Sequence, residues 1–147
     1  MSDSDEPRRV VLMVDDDEED IYVTRRAFGG RRHIDAFHHV RSGEALFDYL
    51  AGRGSYAGRD CPRPGLILMD INMPRENGFS VLGRLRESPE HTVIPVVMLS
   101  TSTVGDDVDR AYRLGANSFI GKPSSSDEMR DIARHIDEFW FETALVP

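Results

Sequence analysis

Five strand-length segments, three of them continuous apolar runs, alternate along the chain with five stretches of helical periodicity, and this alternation constrains the fold more than any other feature. The apolar runs are residues 10–14 (VVLMV), 66–69 (LILM) and 93–99 (VIPVVML), and two weaker strand segments are 34–39 (IDAFHH), after the Gly29-Gly30 break, and 118–121 (SFIG), ahead of Pro123. Continuous apolar runs of strand length suit strands covered on both faces, as in a parallel sheet sandwiched by helices. Between them, Ile21, Ala27 and Phe28 share a helix whose first turn is acidic, and Ala45, Leu46, Tyr49 and Leu50 recur at three and four. Phe79, Leu82 and Leu85 repeat every three, and Val108, Ala111, Tyr112 and Leu114 do much the same. Met129, Ile132, Ala133, Ile136 and Phe139 complete a fifth helical face. The order βαβαβαβαβα with short loops predicts a doubly wound α/β domain with right-handed crossovers. Pairs of polar residues place helix starts: Thr103 with Asp106, Ser125 with Glu128, and Asn77 ahead of the third helix.

One domain fits the 147 residues, taken as residues 9–141, with an acidic, disordered tail over 1–8, an extended Gly-, Arg- and Pro-rich loop over 51–64 and a C-terminal extension over 142–147. No apolar run reaches the roughly 20 residues of a membrane span, the N-terminus lacks the chemistry of a secretory signal, and the lone Cys61 makes no internal disulfide. A cytoplasmic protein without membrane contact is expected. The net charge of -8 and the scattered arginines argue against nucleic acid as a partner. Of the 18 basic residues, 17 are Arg and one is Lys, Lys122.

Ligands of doubly wound sheets bind beyond the carboxyl ends of the strands. The first strand is followed there by Asp15 and Asp16, the third by Asp70, the fourth by Ser100 and Thr101, and the fifth by Lys122. If the first and third strands are neighbours, Asp15, Asp16 and Asp70 converge. Three such carboxylates repel one another unless a cation joins them, and a small set of hard oxygens suits Mg2+. A carboxylate held against a divalent cation, with an ammonium and a hydroxyl opposite, is equipped to attack phosphorus. Acids at the start of a helix also complement its dipole, which is a sufficient explanation for Asp17, Glu18 and Glu19. Thr101 competes with Ser100 for the hydroxyl role.

The segments Val-Asp-Asp-Asp, Leu-Met-Asp-Ile-Asn-Met-Pro around Asp70, Val-Met-Leu-Ser-Thr-Ser and Gly-Ala-Asn-Ser-Phe-Ile-Gly-Lys-Pro together resemble the response-regulator receiver domains of two-component signalling. The resemblance implies a flavodoxin-like five-stranded sheet of order 2-1-3-4-5. It implies Asp70 as the phosphoacceptor from a histidine kinase, with Asp16, Asp70 and the main-chain carbonyl of Asn72 binding Mg2+ and Asp15 binding through water. Ser100 and Lys122 would contact the phosphoryl group, and Lys122–Pro123 would be a cis peptide. The extended loop and the C-terminal Glu-Phe-Trp resemble a narrower group, the single-domain regulators paired with phytochromes. Where receiver domains often carry a switching tyrosine, this chain has Phe119, which implies a packing switch without a phenolic hydrogen bond.

Trp140, Phe141, Leu145 and Val146 exceed what the last helix needs to cover a sheet, so a homodimer through this end is expected. The expected function is a phosphorylation-controlled signalling module, not an enzyme, acting through protein contacts or dimerisation because no output domain follows. The alternatives are an aspartyl-nucleophile phosphatase and a phosphorylation-independent adaptor. The phosphatases place their nucleophile after the first strand, with a second Asp two residues on, whereas here the candidate follows the third strand and position 72 is Asn.

Overall fold

The computed structural model describes residues 9–101 and 104–145. The acidic tail 1–8, Thr103 as a helix cap and Val146 lie outside the described residues. Five strands, β1 (Val10–Val14), β2 (Ala36–Val40), β3 (Leu66–Asp70), β4 (Val96–Ser100) and β5 (Ser118–Gly121), form one sheet of order β2-β1-β3-β4-β5. All four pairings are parallel. The helices are α1 (Glu18–Phe28), α2 (Gly43–Ala51), α3 (Gly78–Glu87), α4 (Gly105–Arg113) and α5 (Ser126–Glu138).

Every residue of β1, β3 and β4 is buried, which is why these three read as unbroken apolar runs. Successive side chains on a strand point to opposite faces. Accordingly Leu12 and Val14 join one core with Leu46 and Tyr49 of α2, Phe79, Leu82 and Leu85 of α3 and Ala111 of α4. Val11 and Met13 join a second core with Ile21, Ala27 and Phe28 of α1 and Met129, Ala133 and Ile136 of α5. Two helices thus cover one face and three the other.

Two strands, β2 at the edge and β4 in the interior, start later than expected. β2 runs over Ala36–Val40, two residues later than the pattern of 34–39 implies. Asp35 closes the approach instead: its carboxylate accepts from the Arg9 amide at 2.9 Å while its own amide donates to the Arg9 carbonyl at 2.8 Å. β4 starts after Pro95, as a residue without an N–H requires of a paired strand. The α4 face is shallower than its spacing suggests, with Ala111 buried but Tyr112 exposed.

Helix starts largely follow the sequence. Asn77 caps α3 by accepting from the Ser80 amide at 3.1 Å, and Ser125 caps α5 by accepting from the Glu128 amide at 3.2 Å. The Glu128 carboxylate reaches back to the Ser124 amide at 3.0 Å, which completes a reciprocal cap shifted by one residue. Val104 precedes α4 without a side-chain cap.

The C-terminal end requires a correction. The α5 pattern assigns Phe139 to the sheet face and leaves Trp140 and Phe141 as surplus aromatics. In the structure α5 ends at Glu138 and the chain continues as a π-helical turn over Phe139–Thr143. The wider turn changes the angular step per residue, so Phe139 faces solvent at 54% exposure and Phe141 is buried at 5%. Phe141 packs in the α1/α5 core beside Gly65, where an added Cβ would come within 3.0 Å of its ring. Trp140 is partly buried against the same core. Phe141 is therefore an internal packing residue and contributes no exposed surface.

Candidate functional site

The carboxyl ends of β1, β3, β4 and β5 meet at one edge of the sheet, and the sequence-selected residues meet with them. Asp15 directly follows β1 and is fully buried; Asp70 ends β3 at 3% exposure; Ser100 ends β4 and is fully buried. Main-chain bonds fix these positions. The Asp15 amide donates to the Val40 carbonyl at 3.1 Å, the Ile71 amide to Leu99 at 3.3 Å, and the Lys122 amide to Ser100 at 2.7 Å. Gly78 presses on the acceptor strand from the other side, where a Cβ would stand 2.3 Å from the Asp70 carbonyl oxygen.

Lys122 is the electrostatic centre. Its Nζ lies 3.2 Å from Asp15 Oδ2, 3.0 Å from Asp70 Oδ1 and 2.7 Å from Asp20 Oδ2. The contacts to Asp15 and Asp20 are aligned hydrogen bonds. Asp70 Oδ1 is buried and has no donor aligned on it, despite the nearby ammonium. Asp15 is otherwise satisfied, because its Oδ1 accepts from the Asp17 amide at 2.9 Å. The Lys122–Pro123 peptide is trans, against the cis form expected from the family resemblance. Trans is favoured in X–Pro bonds by about 0.5–1 kcal/mol, and Lys122 reaches all three carboxylates in that form.

Burial raises the affinity of the acids for protons. Asp15 is pushed up from 3.8 to about 6, chiefly by desolvation, with the Asp70 charge adding to the effect and the Asp17 amide and Lys122 opposing it. Asp70 is also raised by desolvation, against the pull of Lys122 and of the Asn72 amide, with Asp16 raising it further. Desolvation alone would lower Lys122, but the neighbouring carboxylates of Asp20, Asp70 and Asp15 outweigh it and raise its pKa.

Ligand oxygens of Asp15, Asp16 and Asp70 all lie within 4.8 Å of one another. A divalent cation fits this donor set: three hard oxygens on one side, two of them on buried carboxylates whose mutual repulsion a cation would relieve. The cleft above them has a volume of about 510 Å³ and is also bordered by Asn72, Thr101 and Lys122. Thr101 is exposed at its rim and Ser100 buried beneath. Phe119, on β5, is partly buried against the α2/α3/α4 core. Trp140 and Phe141 lie in the α1/α5 core and are not brought to this edge.

Asp20 is the member that spacing alone did not select. It sits in the first turn of α1, where acids are expected for the helix dipole alone. Its position one turn after Asp16 on a helix that starts at the strand end is the signal that could have found it.

A nucleophilic carboxylate beside a divalent-cation site and an ammonium, at the switch edge of a doubly wound sheet, defines a phosphoryl-accepting α/β domain. The model of the response regulator receiver domain matches residues 11–134, and the chain belongs to that family. Receiver domains of two-component response regulators are signalling domains that bind a divalent metal and are phosphorylated on an aspartate. The response regulator Rcp1 of Synechocystis sp. is 33% identical over 147 residues, covering 100% of this chain and 99% of that protein. The solved Mn2+-bound form of Rcp1 matches with a TM-score of 0.82 at 33% identity, over 95% of this chain and 99% of that one. The phosphorylated cyanobacterial phytochrome response regulator RcpA matches with a TM-score of 0.85 at 34% identity, again over 95% and 99%.

Proposed function

We propose that Asp70 is the phosphoacceptor of this receiver domain and that Mg2+ is its metal. The observation that carries the reading is the convergence on Asp70 of Lys122 Nζ, at 3.0 Å, with the ligand oxygens of Asp15 and Asp16. Asp16, Asp70 and the main-chain carbonyl of Asn72 would hold Mg2+ directly, and Asp15 would hold it through water. When bound, the ion neutralises charge on the transferring phosphoryl oxygens.

A carboxylate oxygen of Asp70 attacks the phosphorus of a phosphohistidine. The P–O bond forms as the P–N bond breaks, and the imidazole leaves with the bonding pair and takes up a proton. Lys122 donates to one phosphoryl oxygen and Ser100 to another. Lys122 is suited to this because a compact ammonium on a flexible stem fits a crowded site where a planar guanidinium fork would not. Phe119 then repacks inward as the Ser100 hydroxyl moves toward the phosphoryl group, and it propagates the change by packing alone.

The donor is a sensor histidine kinase of the phytochrome type. The similarity to the phytochrome response regulator RcpA supports this, and a phosphoryl group supplied from ATP through such a kinase is cytoplasmic chemistry. The changed surface signals through protein contacts or a second copy of the chain, with Trp140 and its exposed neighbour Phe139 at the C-terminal end as contact residues. The test is intact mass after incubation with Mg2+ and acetyl phosphate. One alkali-labile phosphate per chain, absent in Asp70→Asn, is the expected result; many-cycle turnover of phosphate esters would favour a phosphatase instead.

A further inference from the structure

The Lys122 ammonium lies within 3.2 Å of three carboxylates and donates aligned hydrogen bonds to two of them, Asp15 and Asp20, so an incoming phosphoryl oxygen must compete with these for its N–H bonds. Asp15 and Asp70 are fixed at strand ends and buried, and Asp15 is further held by the Asp17 amide. Asp20 makes the shortest of the three contacts, at 2.7 Å, yet its side chain is 40% exposed. It is thus the carboxylate that can return to water with the smallest loss of solvation. Its backbone is steady, because the Asp17 side chain caps α1 by accepting from the Glu19 and Asp20 amides at 2.9 and 3.1 Å.

We propose that Asp20 is a positioning residue of the phosphorylation site, holding Lys122 in the unphosphorylated protein and competing with the incoming phosphoryl oxygen for it. The inference rests on the reading of Asp70 as phosphoacceptor. Asp20 acts in two ways, both restraining. It occupies a donor that the phosphoryl group needs, and its charge adds to a cleft already lined by Asp16, Asp17, Glu18 and Glu19, which repels a dianionic phosphodonor. When the phosphoryl group arrives, Lys122 exchanges the Asp20 oxygen for a phosphoryl oxygen. Asp20 turns out to solvent, so the exchange breaks and forms only hydrogen bonds. Asp20 therefore sets how readily the site loads without touching phosphorus or metal.

The discriminating variant is Asp20→Asn, which keeps the shape and removes the charge. For a half-exposed pair the expected effect is about fivefold. Phosphorylation by acetyl phosphate at saturating Mg2+ should be about fivefold faster, and beryllofluoride with Mg2+ should bind tighter by a similar factor in calorimetry. Mg2+ affinity of the unmodified protein should be unchanged or lower, a divergence that general loosening of the site would not produce. Asp20→Glu should restore most of the wild-type restraint. An Asp20→Asn protein that loads at the wild-type rate or slower, and binds beryllofluoride no tighter, overturns this inference while leaving Asp70 as acceptor. A wild-type protein that takes up no phosphate overturns both.

Discussion

Two glycines of α3 give opposite expectations for the same substitution. At Gly78 a Cβ would stand 2.3 Å from the Asp70 carbonyl oxygen, 3.0 Å from Ile71 Cα and 3.1 Å from the Asp70 carbonyl carbon. All three neighbours are main-chain atoms that cannot rotate aside. At Gly83, further along the helix, a Cβ meets nothing within 4 Å. Alanine is favoured over glycine in a helix interior by about 1 kcal/mol. Gly83→Ala should therefore stabilise the protein by about 0.5–1 kcal/mol. Gly78→Ala begins its helix, gains less from propensity, and forces overpacking that costs about 1–3 kcal/mol or more. It should be net destabilising by about 2 kcal/mol. The displaced atoms belong to the segment that carries Asp70 and Asn72, and Gly78 also donates its amide to the Ile71 carbonyl at 2.9 Å. Mg2+ affinity should consequently fall about tenfold in Gly78→Ala, in line with other changes just outside a metal's ligands. Urea unfolding and Mg2+ titration of both variants measure the two effects. A Gly78→Ala protein as stable as Gly83→Ala, with wild-type Mg2+ affinity, would refute the idea that Gly78 is required by the close approach of α3 to the acceptor strand.

Burial holds Asp15 near pH 6, above its ordinary 3.8, so the folded protein binds this proton more tightly than the unfolded chain. Its contribution to stability in the metal-free protein therefore declines as pH rises from about 4 to 6. Metal binding needs the deprotonated acid, and the rise in melting temperature caused by Mg2+ should grow as pH increases through about 6 and fade below about 5; thermal scans with and without Mg2+ across this range check it, and a shift independent of pH would contradict it. Arg86 donates to the carbonyls of Gly115, Thr92 and Ile94 and to Asn117 Oδ1, at 2.8 to 2.9 Å. Arg86→Ala strands these acceptors and should cost about 2–4 kcal/mol in urea unfolding; Arg86→Lys, lacking the planar fork, should recover less than half of that. Lys122→Arg should slow phosphorylation by acetyl phosphate at least about tenfold, since a misplaced positive group loses its aim at the phosphoryl oxygens; a near-normal rate would remove the case for an ammonium at this position.

How far the sequence discloses this molecule follows from how many forces act on each residue at once. β1, β3 and β4 are buried on both faces, so nearly every side chain in them is apolar and the runs stand out. β2 and β5 lie at the sheet edges and are mostly half-exposed, which lets Asp35 and the paired histidines blur where β2 begins. The strand-end residues Asp15, Asp70, Ser100 and Lys122 were legible because strand ends in this topology point to one edge. Asp20 was hidden, since an acid in the first turn of a helix already has a sufficient local reason. The π-helical turn after Glu138 was hidden for a different cause: helical periodicity assumes a constant step, and the changed step exchanges the roles of Phe139 and Phe141. Arg86 carried no sequence signal, because its partners are main-chain carbonyls and the Asn117 side chain, which only the fold brings near it.

The central claim is that Asp70, among several neighbouring carboxylates, carries the phosphoryl group. Borohydride reduces an aspartyl phosphate to homoserine, which marks the acceptor permanently. Protein loaded with acetyl phosphate and Mg2+, reduced and digested, should yield homoserine at position 70 and unmodified Asp15, Asp16 and Asp20 by peptide mass spectrometry. Homoserine at any of those three, or none in protein shown by intact mass to carry a phosphate, would contradict the assignment.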